Sequence, residues 1–230
     1  MKKFLSVLFV VFLSAFSLNL NAQENVGVTK FLGIPVDGSK SAMIAKLQRK
    51  GFTYNRVYDC LKGEFNGKSV ELHVVTNRNK VWRIAVFGPS QSETDVKISY
   101  NQLVNSFLAK DNYLCIDTGY VEEDEYISSN KRIESSFCQL HDGINKEMFF
   151  DKQEILKHLH DIGNDSLANQ LNTIPDDKFQ ELMSFIVPLS LSKDPSQVWF
   201  MISETYDVYT PYRILLFYDN RRNNRDGEDL

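Results

Sequence analysis

The chain has 230 residues, 26 basic and 30 acidic, and a formal net charge of −4. Nucleic acid and anionic lipid surfaces select clustered positive charge, so neither is expected as a partner. The length is enough to bury a core without staples, as one large domain or two small ones.

Met1-Lys2-Lys3 is short and positive. Phe4 to Leu18 is almost wholly apolar, interrupted by Ser6, Ser14 and Ser17, and Asn19 to Ala22 is polar or small. That order is the pattern of a cleavable secretory signal peptide over 1–22, with cleavage expected between Ala22 and Gln23. The apolar core is shorter than the roughly 20 residues of a spanning helix, and no Cys at the junction offers a lipid anchor. No later segment reads as a membrane span. The mature chain, 23–230, is therefore expected to be a soluble periplasmic or secreted protein. Loss of Lys2 and Lys3 leaves it 24 basic against 30 acidic residues, a net of −6.

Residues 23–30 read as a flexible lead-in. Asp37-Gly38-Ser39 opens a helix whose stripe is Met43, Ile44 and Leu47, with Gly51 at its end. Leu61, Gly63 and Phe65 alternate with Lys62 and Glu64, and Asn66-Gly67 is a strong hairpin signal. Val70, Leu72 and Val74 form the next alternation; Asn77 to Lys80 makes a turn. Trp82, Ile84 and Val86 then predict the apolar face of a third strand, with Val81, Arg83 and Ala85 on the other. A second helix is predicted over about 93–110, with Val96, Tyr100, Leu103 and Phe107 inward. Ser92 with Asp95 resembles a capping box with Asp in place of Glu. Tyr113–Ile116 and Arg132–Leu140 read as strands around the acidic turn Glu122 to Glu125.

Residues 152–187 read as helical in three pieces, broken at Gly163 and restarted at Pro175, with Pro188 as the end. A final hairpin is predicted from Gln197–Thr205 and Tyr212–Tyr218, followed by a polar tail over 220–230. The expected fold is α+β, an antiparallel sheet with helices on one side. It forms one domain, with sub-units at 30–110 and 111–219 and no evident repeat.

Two stretches carry a resemblance. Phe31-Leu-Gly-Ile-Pro-Val-Asp-Gly-Ser39, a helix, Lys50-Gly51-Phe52 and the Leu-Lys-Gly-Glu-Phe-Asn-Gly run at 61–67 form one. Tyr218-Asp-Asn220, Asn223 and Gly227-Glu-Asp-Leu230 form the other. Together they resemble a family of small exported proteins of Gram-negative gut anaerobes, a likeness that brings no activity and no functional residues. The helix-then-meander unit also resembles the module of the β-lactamase-inhibitor-protein-like fold, which implies an architecture and not a function.

Chemical motifs are sparse. His158 and His160 lie two apart on a predicted helix, whereas a helical zinc pair needs a spacing of four. The acidic turn lacks the spaced, glycine-containing calcium loop. There is no nucleophile elbow, phosphate loop or dinucleotide fingerprint, so no catalytic residue, cofactor or metal is assigned. Export makes a disulfide feasible, and Cys115 with Cys138 is the preferred pair against three free thiols. Tyr206, Tyr209 and Tyr212 flank the last turn and form the candidate binding surface. The leading expectation is a non-catalytic binding module with a protein or glycan partner of the cell envelope. The alternative is an envelope or secreted hydrolase of glycans or peptides with dispersed acids.

Overall fold

The computed structural model describes residues 27–127, 132–141, 144, 146–191 and 196–224. The segment predicted as a signal peptide, its expected Ala22–Gln23 junction and the last six residues lie outside these. The fold is α+β, as the sequence predicts. A small hairpin, β1 (Lys30–Phe31) and β2 (Ile34–Pro35), leads into helix α1 (Lys40–Arg49). Strands β3 (Thr53–Asn55), β4 (Cys60–Phe65), β5 (Lys68–Asn77) and β6 (Lys80–Phe87) follow, then α2 (Glu93–Leu108). After β7 (Tyr113–Asp117) and β8 (Glu134–Gln139) come α3 (Lys152–Asp161), α4 (Asp165–Asn172) and α5 (Asp176–Leu191). The chain closes with β9 (Ser196–Glu204) and β10 (Tyr212–Asn220).

One antiparallel sheet takes eight strands in the order β3-β4-β5-β6-β10-β9-β8-β7. It is two like units joined at the β6–β10 seam, each a serine-capped helix and four strands. Ser39 and Ser92 cap the two helices with their side chains. Ser39 bridges Lys80 at the start of β6, and Gln91 bridges Tyr212 at the start of β10. In the second unit α3–α5 are inserted between β8 and β9, which hides the correspondence in the sequence. Helix α2 packs on β7, β9 and β10. Its contacts therefore lie with the second unit.

Strand alternation sorts the core. Met43 and Leu47 from α1 and Val96, Tyr100, Val104 and Phe107 from α2 pack on one sheet face, with Leu72, Ile84, Phe200 and Phe137. Phe107 stacks on Phe137 at 5.0 Å and meets Tyr113 edge-on at 4.8 Å. Leu114 and Cys138 point the other way and pack with α3–α5 in a second cluster. Among the described residues, helices thus cover one face along its length and the opposite face only at the β7–β8 end.

Several expectations need correction. The lead-in is not loose from residue 28 on: Thr29 is wholly buried and its Oγ1 donates to the Asp219 carbonyl. Gly27 packs against the His141 ring, which a Cβ at that position would strike. The start of the tail is also packed: Asn220 is buried and donates to Val36 O at 2.9 Å, and Asn223 donates to Val81 O at 2.8 Å. Pro188 does not end its helix, which runs on to Leu191. Proline removes one hydrogen bond, to Ser184 O, and Ser184 is exposed, so water can take its place.

Cys115 and Cys138 do not pair, and all three cysteines are free. In the β7–β8 ladder Cys115 opposes Phe137 and Cys138 opposes Leu114. A one-residue offset on neighbouring strands puts the two sulfurs on opposite faces. Burial pushes the Cys115 thiol up to about 11, and Cys60 and Cys138 are enclosed in the fold. Thiol counting on denatured, unreduced protein is expected to find all 3 cysteines reactive and the native protein to resist alkylation. A single reactive thiol after denaturation would contradict this arrangement.

Candidate functional site

The helix-free part of the second face is where uncommon chemistry gathers. Its rows are set by register. Phe217 opposes Ala85 on one side and Trp199 on the other; Asp219 opposes Arg83; Leu215 opposes Phe87 and Met201. Alternation therefore puts Arg83, Phe87, Leu215, Phe217, Asp219, Trp199 and Met201 on one face. None of them belongs to either core cluster.

A β-bulge completes the group. Val75 opposes Arg83 but Thr76 opposes Val81, so Trp82 is an extra residue in β6. The bulge turns Val81 into the core, where it is fully buried, and sets Trp82 beside Arg83. The sequence reading placed Trp82 with Ile84 and Val86 on the core face; the bulge reverses Val81 and Trp82. Both tryptophans of the chain thus flank one arginine.

Arg83 is the hub. Its guanidinium carbon lies 4.3 Å from the Trp82 ring centroid, 4.7 Å from Phe217 and 5.2 Å from Trp199. Nε and Nη2 donate to the two Asp219 carboxylate oxygens at 2.6 and 2.7 Å, a bidentate pair. Trp199 Nε1 donates to Asp219 Oδ2 at 2.9 Å, and the Trp199 and Phe217 rings stack at 4.2 Å. The Asp219 side chain is 2% exposed and that of Arg83 22%. The acid is enclosed while the arginine's stacked face approaches the surface.

Basic groups surround this hub. Arg132 lies 5.5 Å from the Trp199 ring and pairs with Glu134 at 2.7 Å. Arg213 sits 5.8 Å from the Phe87 ring, and His73 lies tilted against that ring at 4.7 Å. Such a surface can stack, donate hydrogen bonds and bury apolar area.

The tyrosines predicted as a binding surface separate. Tyr206 and Tyr209 are fully exposed on the β9–β10 loop, and Tyr212 is buried in the core. Tyr212 already belongs to β10 and bridges Gln91, which commits its ring inward. The loop is ordered by Asp207, whose carboxylate accepts from Tyr209 N at 2.9 Å and Thr210 Oγ1 at 2.9 Å. Those hydrogen bonds hold its pKa below the ordinary carboxylate range. Ser196 Oγ lies 3.5 Å from His141 Nε2 but donates to the Gly27 carbonyl at 2.6 Å and is buried. A hydroxyl committed to the main chain and closed to solvent is no nucleophile. Among the described residues no three His, Cys, Asp or Glu side chains converge as a metal site, and no helix is long and apolar enough to cross a membrane.

No protein-family model, curated protein or solved structure matches the chain. The sheet face therefore stands on its own geometry. Sequence reasoning missed it, although one signal was present. Ile214 to Tyr218 is an unbroken apolar run, the mark of a strand with two dry faces rather than one.

Replacing Asp219 with Ala strands the Arg83 guanidinium and the Trp199 N–H in a half-buried site. A loss of about 3 kcal/mol is expected in urea unfolding, with red-shifted tryptophan emission. A loss below about 1 kcal/mol, typical of exposed ion pairs, would contradict the assignment.

Proposed function

We propose that the chain is an exported, non-catalytic binding protein of the cell envelope and that the helix-free sheet face is its binding surface. Export is read from the leader at 1–22. The observation that carries the binding role is the gathering of both tryptophans, Phe217, Met201 and Arg83 on a face that neither core cluster uses. Interface cores are rich in Trp, Phe, Met and Arg and poor in Lys and Glu, and the residues that dominate binding energy are most often Trp, Tyr and Arg.

The energetics favour a protein partner. A strand-borne face is rigid, so little side-chain entropy is lost on docking. Arg83 is already held by Asp219 and three rings, which prepares it for stacking. Arg213 has no carboxylate within ion-pair distance among the described residues, so it suits an acidic group at the rim of the contact. The two helix-plus-four-strand units support the resemblance to the β-lactamase-inhibitor-protein-like fold, at the level of architecture alone.

Crosslinking and pull-down from envelope extract tests the proposal with three mature baits: wild type, Met201→Glu/Leu215→Glu, and Tyr206→Ala/Tyr209→Ala. Both glutamates fall on half-buried positions of the face, so the core is spared. The wild type and the tyrosine variant are expected to capture the same partner and the glutamate variant to lose it. Capture by the glutamate variant, or no capture by the wild type, would overturn the proposal.

A further inference from the structure

A cavity of about 510 Å³ opens on the helix side of the sheet, between the β1–β2 hairpin, the end of α2 and the β8 terminus. It is independent of the tryptophan face, because its floor residues Tyr113 and Tyr218 belong to the core on the other side. Its volume falls in the range of small-molecule sites.

The floor is a buried polar chain with one hydrogen left over. Gln139 is 7% exposed, and its Oε1 accepts from Lys30 N at 2.5 Å while Nε2 donates to Lys30 O at 3.1 Å. That pair of hydrogen bonds to the main chain of one residue fixes the amide's orientation, so Nε2 also donates to Tyr113 Oη, at 2.7 Å. The Tyr113 and Tyr218 hydroxyls adjoin and share a hydrogen bond. Two hydroxyls sharing one hydrogen bond leave one O–H hydrogen over, and Tyr113, whose oxygen already accepts from Gln139, presents its hydroxyl to the cavity. Tyr113 is 7% exposed, and an unmet donor at such depth is costly. Burial raises both phenol pKa values, so each keeps its proton at neutral pH.

The walls set the sign of the ligand's charge. Lys110 lines the cavity with Asn66 and Asn112, and among the described lining residues there is no Asp or Glu. Lys110 has no carboxylate partner among the described residues; its ammonium lies 5.8 Å from the Tyr113 ring. Leu32, Phe65 and Ile144 supply apolar wall.

The geometry points to a binding site for a small organic carboxylate, its anionic head on Lys110 and the Tyr113 hydroxyl and its apolar body against Phe65 and Leu32. Carboxylate is the acceptor that meets both a neutral O–H donor and an ammonium, and the apolar wall favours an organic anion over a mineral one.

The test is titration calorimetry of the mature chain with 3-phenylpropionate, octanoate and the C-terminal carboxylate mimic N-acetylphenylalanine. Each is run beside its amide, with inorganic phosphate as a further probe. At least one carboxylate is expected to bind in the millimolar range or tighter, about tenfold better than its amide and than phosphate. Lys110→Met, at an exposed position, and Tyr113→Phe should each weaken binding about tenfold. Preference for the acetylated amino acid over the two simple acids would identify a peptide C-terminus as the source of the carboxylate; the reverse would identify a free acid. Absence of binding by all three carboxylates, equal binding of acid and amide, or unchanged binding in Lys110→Met would overturn the inference. Lys110→Met keeps the test decisive if Tyr113→Phe fails to fold.

Discussion

The pair between Arg83 and Asp219 holds the two halves of this protein in one sheet. Arg83 lies on β6, the last strand of the first unit, and Asp219 on β10, the last strand of the second; they are direct neighbours across the seam. A carboxylate 2% exposed is expensive to desolvate. Here it accepts from two guanidinium N–H groups and from the Trp199 indole. The same residue's main-chain carbonyl accepts from Thr29 and draws the lead-in segment onto the seam. One residue thus fixes strand pairing, the position of Trp199 and the path of the chain around Thr29.

The pair also explains why the second face is neither core nor ordinary surface. A lone arginine among Trp82, Trp199 and Phe217 would be a buried, uncompensated charge. Neutralised from below by Asp219, it becomes a flat cation on which three rings rest, a contact worth about 0.5–2 kcal/mol per ring. Helices α1 and α2 cover the other face, and α3–α5 cover this one only near β7 and β8. The stretch between is apolar, rigid and set with arginine, which suits it to a partner rather than to solvent.

Much of this fold is legible in the residues, and the failures have physical causes. Ser39 and Ser92 announce helix starts, and both side chains do cap. In the second cap Asp95 is one methylene shorter than Glu, and it meets the Ser92 hydroxyl at 2.7 Å. The meander follows its alternation until Trp82, where a one-residue bulge that no local signal marks exchanges Val81 for Trp82 in the core. Short-range periodicity fixes which residues of one strand share a face; it does not say which faces of two strands agree. That is why Cys115 and Cys138 looked like partners and lie back to back. The Arg83–Asp219 contact spans more than half the chain, and the repeat that would have suggested it is interrupted by three helices.

The account rests on Arg83 and Asp219 acting as one unit, and a double-mutant cycle measures that directly. Arg83→Met, Asp219→Leu and the double variant, compared with wild type by urea unfolding, should give a coupling energy of about 2 kcal/mol, with the double variant more stable than Asp219→Leu alone. Additive losses agreeing within about 0.5 kcal/mol would show that the two residues do not depend on each other, and would contradict the account.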